Sequence, residues 1–258
     1  MRPIDIIQKK KNGQKISVLT AYESIFSQLL SEAEIDIVLV GDSLGNVFSG
    51  FDNTLPVTME HMIYHTQAVT RAKPKGLVVA DMPFMSYHSP ELAKHNAGRL
   101  IAEGGAQAVK LEIQPATLEC ARLIVGMGIP VMGHIGFTPQ WVNELGYRVQ
   151  GRDNAEQLLK LAKQVESSGC FSVVLEMVPQ DLTKKITESV SIPTIGIGAG
   201  KYCDGQVLVT QDLLGLNRHA PKFVKPYGQF FDQMKQAIQA FKSDVENERF
   251  PDESHSYL

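Results

Sequence analysis

The sequence predicts an α/β protein whose parallel strands close into a (β/α)8 barrel, the TIM-barrel architecture. Three observations predict it: eight short apolar runs typical of strands, helical patterns between them, and a length of 258 residues. Strands that alternate with helices indicate βαβ units and a parallel sheet, and eight such units in about 250 residues match the size of this barrel. A doubly wound open sheet is the alternative, because a count of strands does not establish closure.

The predicted strands share one composition, a short run of β-forming apolar residues bounded by turn residues. A parallel sheet covered on both faces has strands with continuous apolar runs rather than an alternating pattern. The predicted strands are Ile16–Ala21, Ile37–Gly41, Leu77–Asp81, Ala108–Glu112, Val131–Ile135, Ser172–Glu176, Thr194–Ile197 and Gln206–Thr210.

The segments between the strands carry helix signals. Ser89-Pro90-Glu91 supplies an N-cap, a proline at the first helical position and an acid in the first turn. Asn154–Ser168 has apolar residues at helical spacing, which predicts an amphipathic helix. Helix ends are predicted at glycines suited to a left-handed C-terminal cap, namely Gly104-Gly105, Gly128 and Gly169.

The sequence predicts one barrel domain over residues 1–258, because no shift in composition and no Ser/Gly-rich linker divides it. Residues 1–15 are predicted as an N-terminal helical segment and residues 246–258 as a polar C-terminal tail. Phe230–Val245 is predicted as a closing helix, with four apolar residues on one face: Phe231, Met234, Ile238 and Phe241.

The composition excludes several classes of function. A hydrophobic content of 43% and a charged content of 21% are ordinary for a globular protein with a sizeable core. A net charge of −3 gives no electrostatic reason to bind nucleic acid or an anionic membrane. No apolar run is long enough to span a bilayer. Met1–Asp5 lacks the apolar core of a secretion signal, and three scattered cysteines suit a reducing compartment, so we expect a cytoplasmic protein.

Four carboxylates are predicted at strand ends. Asp42 follows the second strand, and Asp81, Glu112 and Glu176 end the third, fourth and sixth. In a TIM barrel the active site lies at the carboxyl ends of the strands, so these acids would share one rim. A buried carboxylate without a partner costs several kcal/mol or becomes protonated. Four together indicate a functional site; the alternative is that each is an independent helix cap or ion pair.

Asp42, Asp81 and Glu112 are the candidate metal ligands, directly or through water. No histidine or cysteine lies beside them in sequence, so the donors are oxygens only. Such a set suits a hard cation, and Mg²⁺ in particular keeps waters that a substrate can replace. Glu176 has no cation beside it in sequence. A carboxylate at a partly apolar rim acquires the raised pKa that a general base needs.

Three further residues are candidate substrate contacts. Lys110 precedes Glu112 by two positions on the same face of a strand, where it would serve as a point charge for an anionic substrate or a developing enolate. A buried salt bridge to Glu112 and a Schiff-base lysine are the alternatives. Ser43 is either a carboxylate-binding residue or a turn residue. His134 is either a substrate hydrogen-bonding group or a satisfied core histidine.

The motifs around these residues resemble those of the ketopantoate hydroxymethyltransferase (3-methyl-2-oxobutanoate hydroxymethyltransferase) family. The resemblance extends from near Ile16 to near the carboxyl terminus. Two positions depart from the family pattern: Glu23, where aspartate is usual, and Ile113, where glycine is common. The matching motifs, in chain order, are Thr20-Ala21-Tyr22, 40–45, 81–87, 103–106, 109–112, 133–140, 174–176, 195–200, 204–209 and 223–225.

The resemblance implies a Mg²⁺-dependent enzyme of pantothenate and coenzyme A synthesis that transfers the methylene of 5,10-methylenetetrahydrofolate to 2-oxoisovalerate. It also implies a homo-oligomer, usually a decamer. Position by position, it implies that the metal site is Asp42, Asp81 and Glu112, and that Glu176 is the proton acceptor. It implies that the 2-oxo acid is contacted by Asp42, Ser43, Asp81 and Lys110, in a pocket lined by His134.

Two rival functions are compatible with such a barrel. One is another Mg²⁺-dependent 2-oxo acid aldolase or lyase of the isocitrate lyase-like barrel group, although the Lys-Lys-Cys-Gly-His signature of isocitrate lyases is absent. The other is a non-catalytic binding protein that kept the barrel. The intact acids, with Lys110, argue against a binder because a binding protein needs no base.

Overall fold

Eight parallel strands close into a barrel in which each strand pairs with its neighbours in chain order. The computed structural model describes residues 1–257. Strand β1 pairs with both β2 and β8, so the sheet has no edge. The predicted barrel is therefore confirmed, and the open doubly wound alternative is excluded. The strands are β1 Ile16–Thr20, β2 Ile37–Val40, β3 Leu77–Asp81, β4 Ala108–Glu112, β5 Val131–Gly136, β6 Ser172–Glu176, β7 Thr194–Ile197 and β8 Gly205–Leu208.

The predicted strands agree with these bounds to within two residues. Strand β8 differs most: it begins at Gly205 and ends at Leu208, and Thr210 already starts a helix. Strand β5 extends one residue further than predicted, to Gly136, which has a φ of 98°. A Cβ at Gly136 would lie 2.3 Å from the carbonyl oxygen of Glu176, so only glycine allows β5 and β6 this close approach.

Helices connect most of the strands, with eleven α-helices and two short 3-10 helices among residues 1–257. The α-helices are α1 Pro3–Lys11, α2 Ser24–Glu32, α3 Leu44–Val47, α4 Met59–Arg71, α5 Pro90–Ala102, α6 Leu118–Gly126, α7 Val142–Leu145, α8 Ala155–Ser167, α9 Gln180–Ser189, α10 Thr210–Leu213 and α11 Phe230–Glu246; the 3-10 helices are Pro139–Trp141 and Glu253–His255.

The predicted helix boundaries follow from local capping. Ser89 precedes α5, and its hydroxyl accepts a hydrogen bond from the backbone N–H of Leu92. Helices α5, α6 and α8 each end within three residues of a glycine in the left-handed region, at Gly105, Gly128 and Gly169.

One βα unit is irregular. A helix follows each of strands β1 to β6, but within the described chain residues 198–204 connect β7 directly to β8 without one. Gly198 and Gly200 both have positive φ in this segment, which does not suit a helix. The sequence prediction of eight complete βα units is wrong at this point.

The amino-terminal end of the barrel is closed by α1. The Lys10 ammonium forms an ion pair with Asp204 at 3.0 Å and donates hydrogen bonds to the carbonyl oxygens of Thr187, Val190 and Ile192. Lys9 pairs with buried Asp36 in the same region. Because α1 occupies this end, the opposite, carboxyl end of the strands is the place to look for a functional site.

The described chain divides into two compact units, one from Met1 to Val209 and one that begins at Thr210. The first contains the complete barrel. That residues 1–258 form a single domain stays a prediction. In the second unit, α11 covers the predicted helix, but its apolar face is not buried: Phe231, Met234, Ile238 and Phe241 are 39% to 66% exposed. None of the helices in residues 1–257 is long and apolar enough to span a membrane.

Candidate active site

The four predicted carboxylates lie at the carboxyl ends of neighbouring strands. Asp81, Glu112 and Glu176 are the last residues of β3, β4 and β6, and Asp42 lies two residues beyond β2. Strand register places Asp81 beside Lys110, Glu112 beside His134, and Gly136 beside Glu176. Besides burial, the charges of Asp42, Glu176 and Asp81 all raise the pKa of Glu112, so the four carboxylates form one cluster rather than independent caps.

The Lys110 ammonium forms a buried ion pair with the neighbouring strand. Its Nζ lies 2.8 Å from Asp81 Oδ1, and both side chains are almost fully buried. Burial alone would lower the pKa of Lys110, but the charges of Asp81, Asp42 and Glu112 outweigh it and raise the pKa, so the ammonium stays charged. The sequence alternative of a salt bridge to Glu112 is wrong about the partner, which is Asp81.

Gln140 joins two of the candidate metal ligands. Its side-chain Nε2 donates a hydrogen bond to Asp42 Oδ2 at 2.8 Å and a second to the carbonyl oxygen of Met82 at 3.0 Å. Its backbone N–H donates to Glu112 Oε2 at 3.1 Å. The Tyr87 hydroxyl donates to Gln140 Oε1 at 2.6 Å. Because every polar atom of the amide has a partner, its orientation is determined, and it presents a donor to Asp42.

Ser43 lies on the short turn after β2 and contacts a buried tyrosine. Its hydroxyl lies 2.9 Å from the Tyr22 hydroxyl. Tyr22 is 1% exposed, and its carbonyl oxygen lies 2.7 Å from His65 Nδ1. A Cβ at Gly41 would lie 2.7 Å from Ser43 Oγ and 3.5 Å from Asp81 Oδ2, so the glycine leaves room for both groups. Ser43 is therefore more than an isolated turn residue.

His134 lies between two of the carboxylates. Its Nε2 lies 3.2 Å from Glu176 Oε2, and its Nδ1 lies 3.7 Å from Glu112 Oε1. Neither contact has hydrogen-bond geometry, so both buried ring nitrogens lack a hydrogen-bond partner within the described residues. Burial and then the charge of Lys110 lower the pKa of His134 well below 6.5, which keeps the imidazole neutral. The alternative of a satisfied core histidine is therefore wrong; a bound ligand would satisfy it.

The site holds more acidic groups than its single lysine can neutralise. Burial, followed by the charge of Asp81, raises the pKa of Asp42 to about 7. Burial, followed by the charge of Asp42, raises the pKa of Glu112 well above 4.5. Burial raises the pKa of Glu176 to about 8, and the charge of Lys110 offsets this only in part. A bound cation would stabilise the ionised forms.

The donor set fits a hard divalent cation in its chemistry. Asp42, Asp81 and Glu112 offer carboxylate oxygens, and no cysteine lies among them. Within residues 1–257, however, no three His, Cys, Asp or Glu side chains are arranged to hold one ion directly. Several carboxylate oxygens instead accept hydrogen bonds from Gln140, Lys110 and the Asp42 backbone. An ion shared by these residues would therefore be contacted partly through water, which suits Mg²⁺.

Sequence reasoning did not identify three residues of this cluster: Tyr22, Tyr87 and Gln140. All three lie within the motifs that carry the family resemblance. A single glutamine or tyrosine has no spacing that marks it as part of a site, so the motif was the only signal available.

A closed barrel with buried carboxylates, a charged lysine and an unsatisfied histidine at its carboxyl end defines the candidate active site of a (β/α)8-barrel enzyme. Residues 1–253 match the family model described as ketopantoate hydroxymethyltransferase. The chain belongs to this family of transferases, as the sequence motifs predicted.

Two relatives illustrate how far the similarity extends. The 3-methyl-2-oxobutanoate hydroxymethyltransferase of Geobacter metallireducens is 54% identical over 259 residues, covering 98% of this chain and 97% of that protein. The protein of the same name from Thermoanaerobacter sp. strain X514 is 53% identical over 253 residues, covering 96% of this chain and 92% of that protein. The similarity therefore extends over nearly the whole chain, including the regions that contain the candidate site residues.

Solved structures share the fold at much lower identity. A phosphonopyruvate hydrolase in complex with oxalate and Mg²⁺ aligns with a TM-score of 0.64 and 9% identity, covering 99% of this chain and 93% of that one. A 2,3-dimethylmalate lyase, a PEP mutase/isocitrate lyase superfamily member, aligns with a TM-score of 0.59 and 13% identity, covering 96% and 87%. At these identities the likeness shows a common barrel architecture.

Proposed function

We propose that this protein transfers the one-carbon unit of 5,10-methylenetetrahydrofolate to 2-oxoisovalerate and so produces ketopantoate, the first step of pantothenate biosynthesis. The observation that carries the proposal is a family match over residues 1–253 whose motifs bring Glu176 and Lys110 into one buried cluster. The net reaction consumes one water, which supplies the new hydroxyl oxygen, and releases tetrahydrofolate as both carbon–nitrogen bonds of the methylene break. A carbon–carbon bond replaces the C3–H bond of the 2-oxo acid, so the reaction is redox-neutral overall and needs no external oxidant or reductant.

Asp42, Asp81 and Glu112 would hold the Mg²⁺ that the family resemblance implies, partly through water. When bound, the ion would polarise the keto group of the 2-oxo acid and orient its carboxylate. Gln140 would keep the Asp42 and Glu112 carboxylates in place, since it donates a hydrogen bond to each. The positive charge of the ion would compensate the excess of buried carboxylates over cations in the site.

Glu176 is the proposed proton acceptor. Its raised pKa of about 8 makes the carboxylate a stronger base than an exposed glutamate, and its side chain lies beside neutral His134. The ionised form would remove the proton from the carbon next to the keto group of 2-oxoisovalerate. Active sites commonly shift the pKa of a general base towards the pH at which the enzyme works.

Lys110 is the proposed charge that stabilises the resulting enolate. Its ammonium is buried and remains charged, so its field acts with little screening by water. Ser43 and His134 would contact the bound 2-oxo acid through the Ser43 hydroxyl and the unsatisfied imidazole nitrogens. The enolate carbon would then form its new bond to the methylene carried by the folate.

Proton removal and carbon transfer are separable, and this gives the test. The protein with Mg²⁺ is expected to exchange the hydrogen at C3 of 2-oxoisovalerate with solvent deuterium without any folate, as measured by NMR. Ketopantoate should form only when 5,10-methylenetetrahydrofolate is added. Absence of both reactions in folded, metal-loaded protein would overturn the proposal.

A lyase or aldolase of the isocitrate lyase-like group is the second candidate, because the barrel is shared with a 2,3-dimethylmalate lyase. Carbon–carbon cleavage of a 2-hydroxy acid without folate would favour it. A cytoplasmic location and a decameric assembly belong to the proposal as well, and size measurement by light scattering tests the latter.

A further inference from the structure

We propose that the loop Gly146–Asp153 binds the folate co-substrate, with Tyr147 against one of its aromatic rings and with Arg148 and Arg152 at its tail carboxylates. This inference rests on the proposed function, since it concerns the second substrate of that reaction. The loop belongs to the connection between β5 and α8. Three observations carry the inference: where the loop is attached, where the cations of the rim lie, and what the loop exposes.

The loop is attached to the end of the strand that bears Glu176. The backbone N–H of Gln150 donates to the carbonyl oxygen of Met177 at 3.0 Å. The backbone N–H of Phe137 donates to the carbonyl oxygen of Glu176 at 2.8 Å. The Tyr147 ring packs edge-on against the Phe137 ring, with centroids 4.8 Å apart. The folate methylene must reach the carbon on which Glu176 acts, so a surface fastened beside Glu176 is a suitable place for the folate.

The charge distribution of the rim points to the same loop. Reduced folates are anionic because their glutamate tail carries carboxylates, whereas the site itself has an excess of acidic groups. In the loops that follow strands β1 to β7, the only lysine or arginine residues are Lys201, whose ammonium lies 5.7 Å from the centroid of the Tyr202 ring, and the two arginines of this loop, Arg148 and Arg152. Both are exposed, and neither guanidinium forms an ion pair with another residue of the described chain. Arginine suits this role because its planar fork can bind a carboxylate with two hydrogen bonds.

The loop also offers an aromatic surface. Tyr147 is 64% exposed, although its ring is supported by buried Phe137. A supported but exposed aromatic ring provides a flat face for the pterin or p-aminobenzoyl ring of a folate, at little cost in side-chain entropy. Gly146 and Gly151, which have φ of 65° and 91°, bound the segment that carries Tyr147 and Arg148, and Arg152 follows directly after it.

Two folate compounds separate the two roles. Tetrahydrofolate has the glutamate tail, and the amide of tetrahydropteroic acid keeps both ring systems but carries no carboxylate. Isothermal titration calorimetry of the intact, Mg²⁺-loaded protein is expected to show tighter binding of tetrahydrofolate. The double variant Arg148→Gln/Arg152→Gln should lose about ten- to a hundred-fold in affinity for tetrahydrofolate and none for the neutral amide. Tyr147→Leu should weaken both ligands by several-fold.

The matched control is Lys163→Gln, which removes an exposed cation from α8 and should bind both ligands as the unmodified protein does. Deuterium exchange of 2-oxoisovalerate should be unchanged in every variant, because that step needs no folate; this also shows that the variants are folded. Equal tetrahydrofolate affinity in the double variant and the unmodified protein would overturn the loop assignment alone. Failure of the unmodified protein to bind tetrahydrofolate would overturn both this inference and the proposed function.

Discussion

Gln140 Nε2 lies 2.8 Å from Asp42 Oδ2, although the two residues are 98 positions apart in the chain. The glutamine follows β5, and the aspartate follows β2. The Tyr87 hydroxyl, from the loop after β3, determines which end of the amide faces Asp42. Three loops therefore position one carboxylate, and the rigidity of this arrangement sets how well the site can hold an ion.

Gln140→Leu should weaken Mg²⁺ binding by about ten-fold, the lower end of the range for loss of a residue that orients metal ligands. The variant removes the donor to Asp42 but keeps the backbone N–H that contacts Glu112. Titration calorimetry of Mg²⁺ into metal-free protein measures the effect directly. Tyr87→Phe should have a smaller effect in the same direction, since it only frees the amide to rotate. Gln157→Leu, an exposed change on α8, is the control; an unchanged Mg²⁺ affinity in Gln140→Leu would remove the positioning role.

Glu176→Gln should abolish proton removal while leaving binding of the 2-oxo acid intact. The amide is nearly the same size as the carboxylate but cannot accept a proton, and loss of a general base typically costs about 10²- to 10⁴-fold in rate. Deuterium exchange at C3 of 2-oxoisovalerate, followed by NMR with Mg²⁺ present, reports the step without folate. Exchange at the unmodified rate would remove Glu176 from the role of base.

The metal-free protein should become less stable as the pH rises from about 4 to 8. The pKa of Asp42 is raised from 3.8 to about 7 and that of Glu176 from 4.5 to about 8. Between the ordinary and the raised values, the folded state binds more protons than the unfolded state, so the free energy of unfolding decreases with increasing pH.

Thermal unfolding in EDTA at several pH values measures this decrease. Saturating Mg²⁺ should reduce the decrease, because the ion stabilises the ionised carboxylates of the folded state. Asp42→Asn should also reduce it, since one of the titrating groups is gone. The raised pKa values would be contradicted if the melting temperature in EDTA increased over this pH range and if Asp42→Asn showed the same pH dependence as the unmodified protein.

The strands and the acids at their ends could be predicted from sequence because both depend on local patterns. A strand buried on both faces leaves a continuous apolar run such as Val78–Ala80, and the polar residue that ends the run, Asp81, marks the edge of the core. The barrel then places all such residues at one end.

The remaining features depend on contacts between distant parts of the chain. The partner of Lys110 is set by the register between β3 and β4, which no single strand reveals. The contact of Gln140 with Asp42 requires three loops to converge. The connection from β7 to β8 lacks a helix, and the alternation of strands and helices in the rest of the chain did not reveal this exception. For the same reason, the amphipathic pattern of α11 predicted the helix but not the exposure of its apolar face.

Lys110 and Asp81 allow the structural and catalytic roles of the buried ion pair to be separated. Lys110→Met leaves Asp81 as a buried carboxylate without its partner at 2.8 Å, and breaking such a pair typically costs about 3–5 kcal/mol. Adding Asp81→Asn removes the uncompensated charge but keeps an oxygen that can accept the hydrogen bond from the Asp42 backbone N–H. Urea unfolding of metal-free protein at pH 8 should therefore find the double variant more stable than Lys110→Met alone.

Deuterium exchange gives the complementary measurement. If Lys110 stabilises the enolate, exchange at saturating Mg²⁺ should decrease by about 10²-fold in Lys110→Met and should not recover in the double variant, although stability does. Because Asp81 also belongs to the proposed metal site, Asp81→Asn alone is measured at the same Mg²⁺ concentration, and exchange in the double variant should be lower than in this single variant. Recovery of exchange together with stability would mean that the lysine only balances the charge of Asp81. Strictly additive losses of stability in the two single variants would instead show that the ion pair contributes no coupling, because double-mutant cycles report interaction only through departures from additivity.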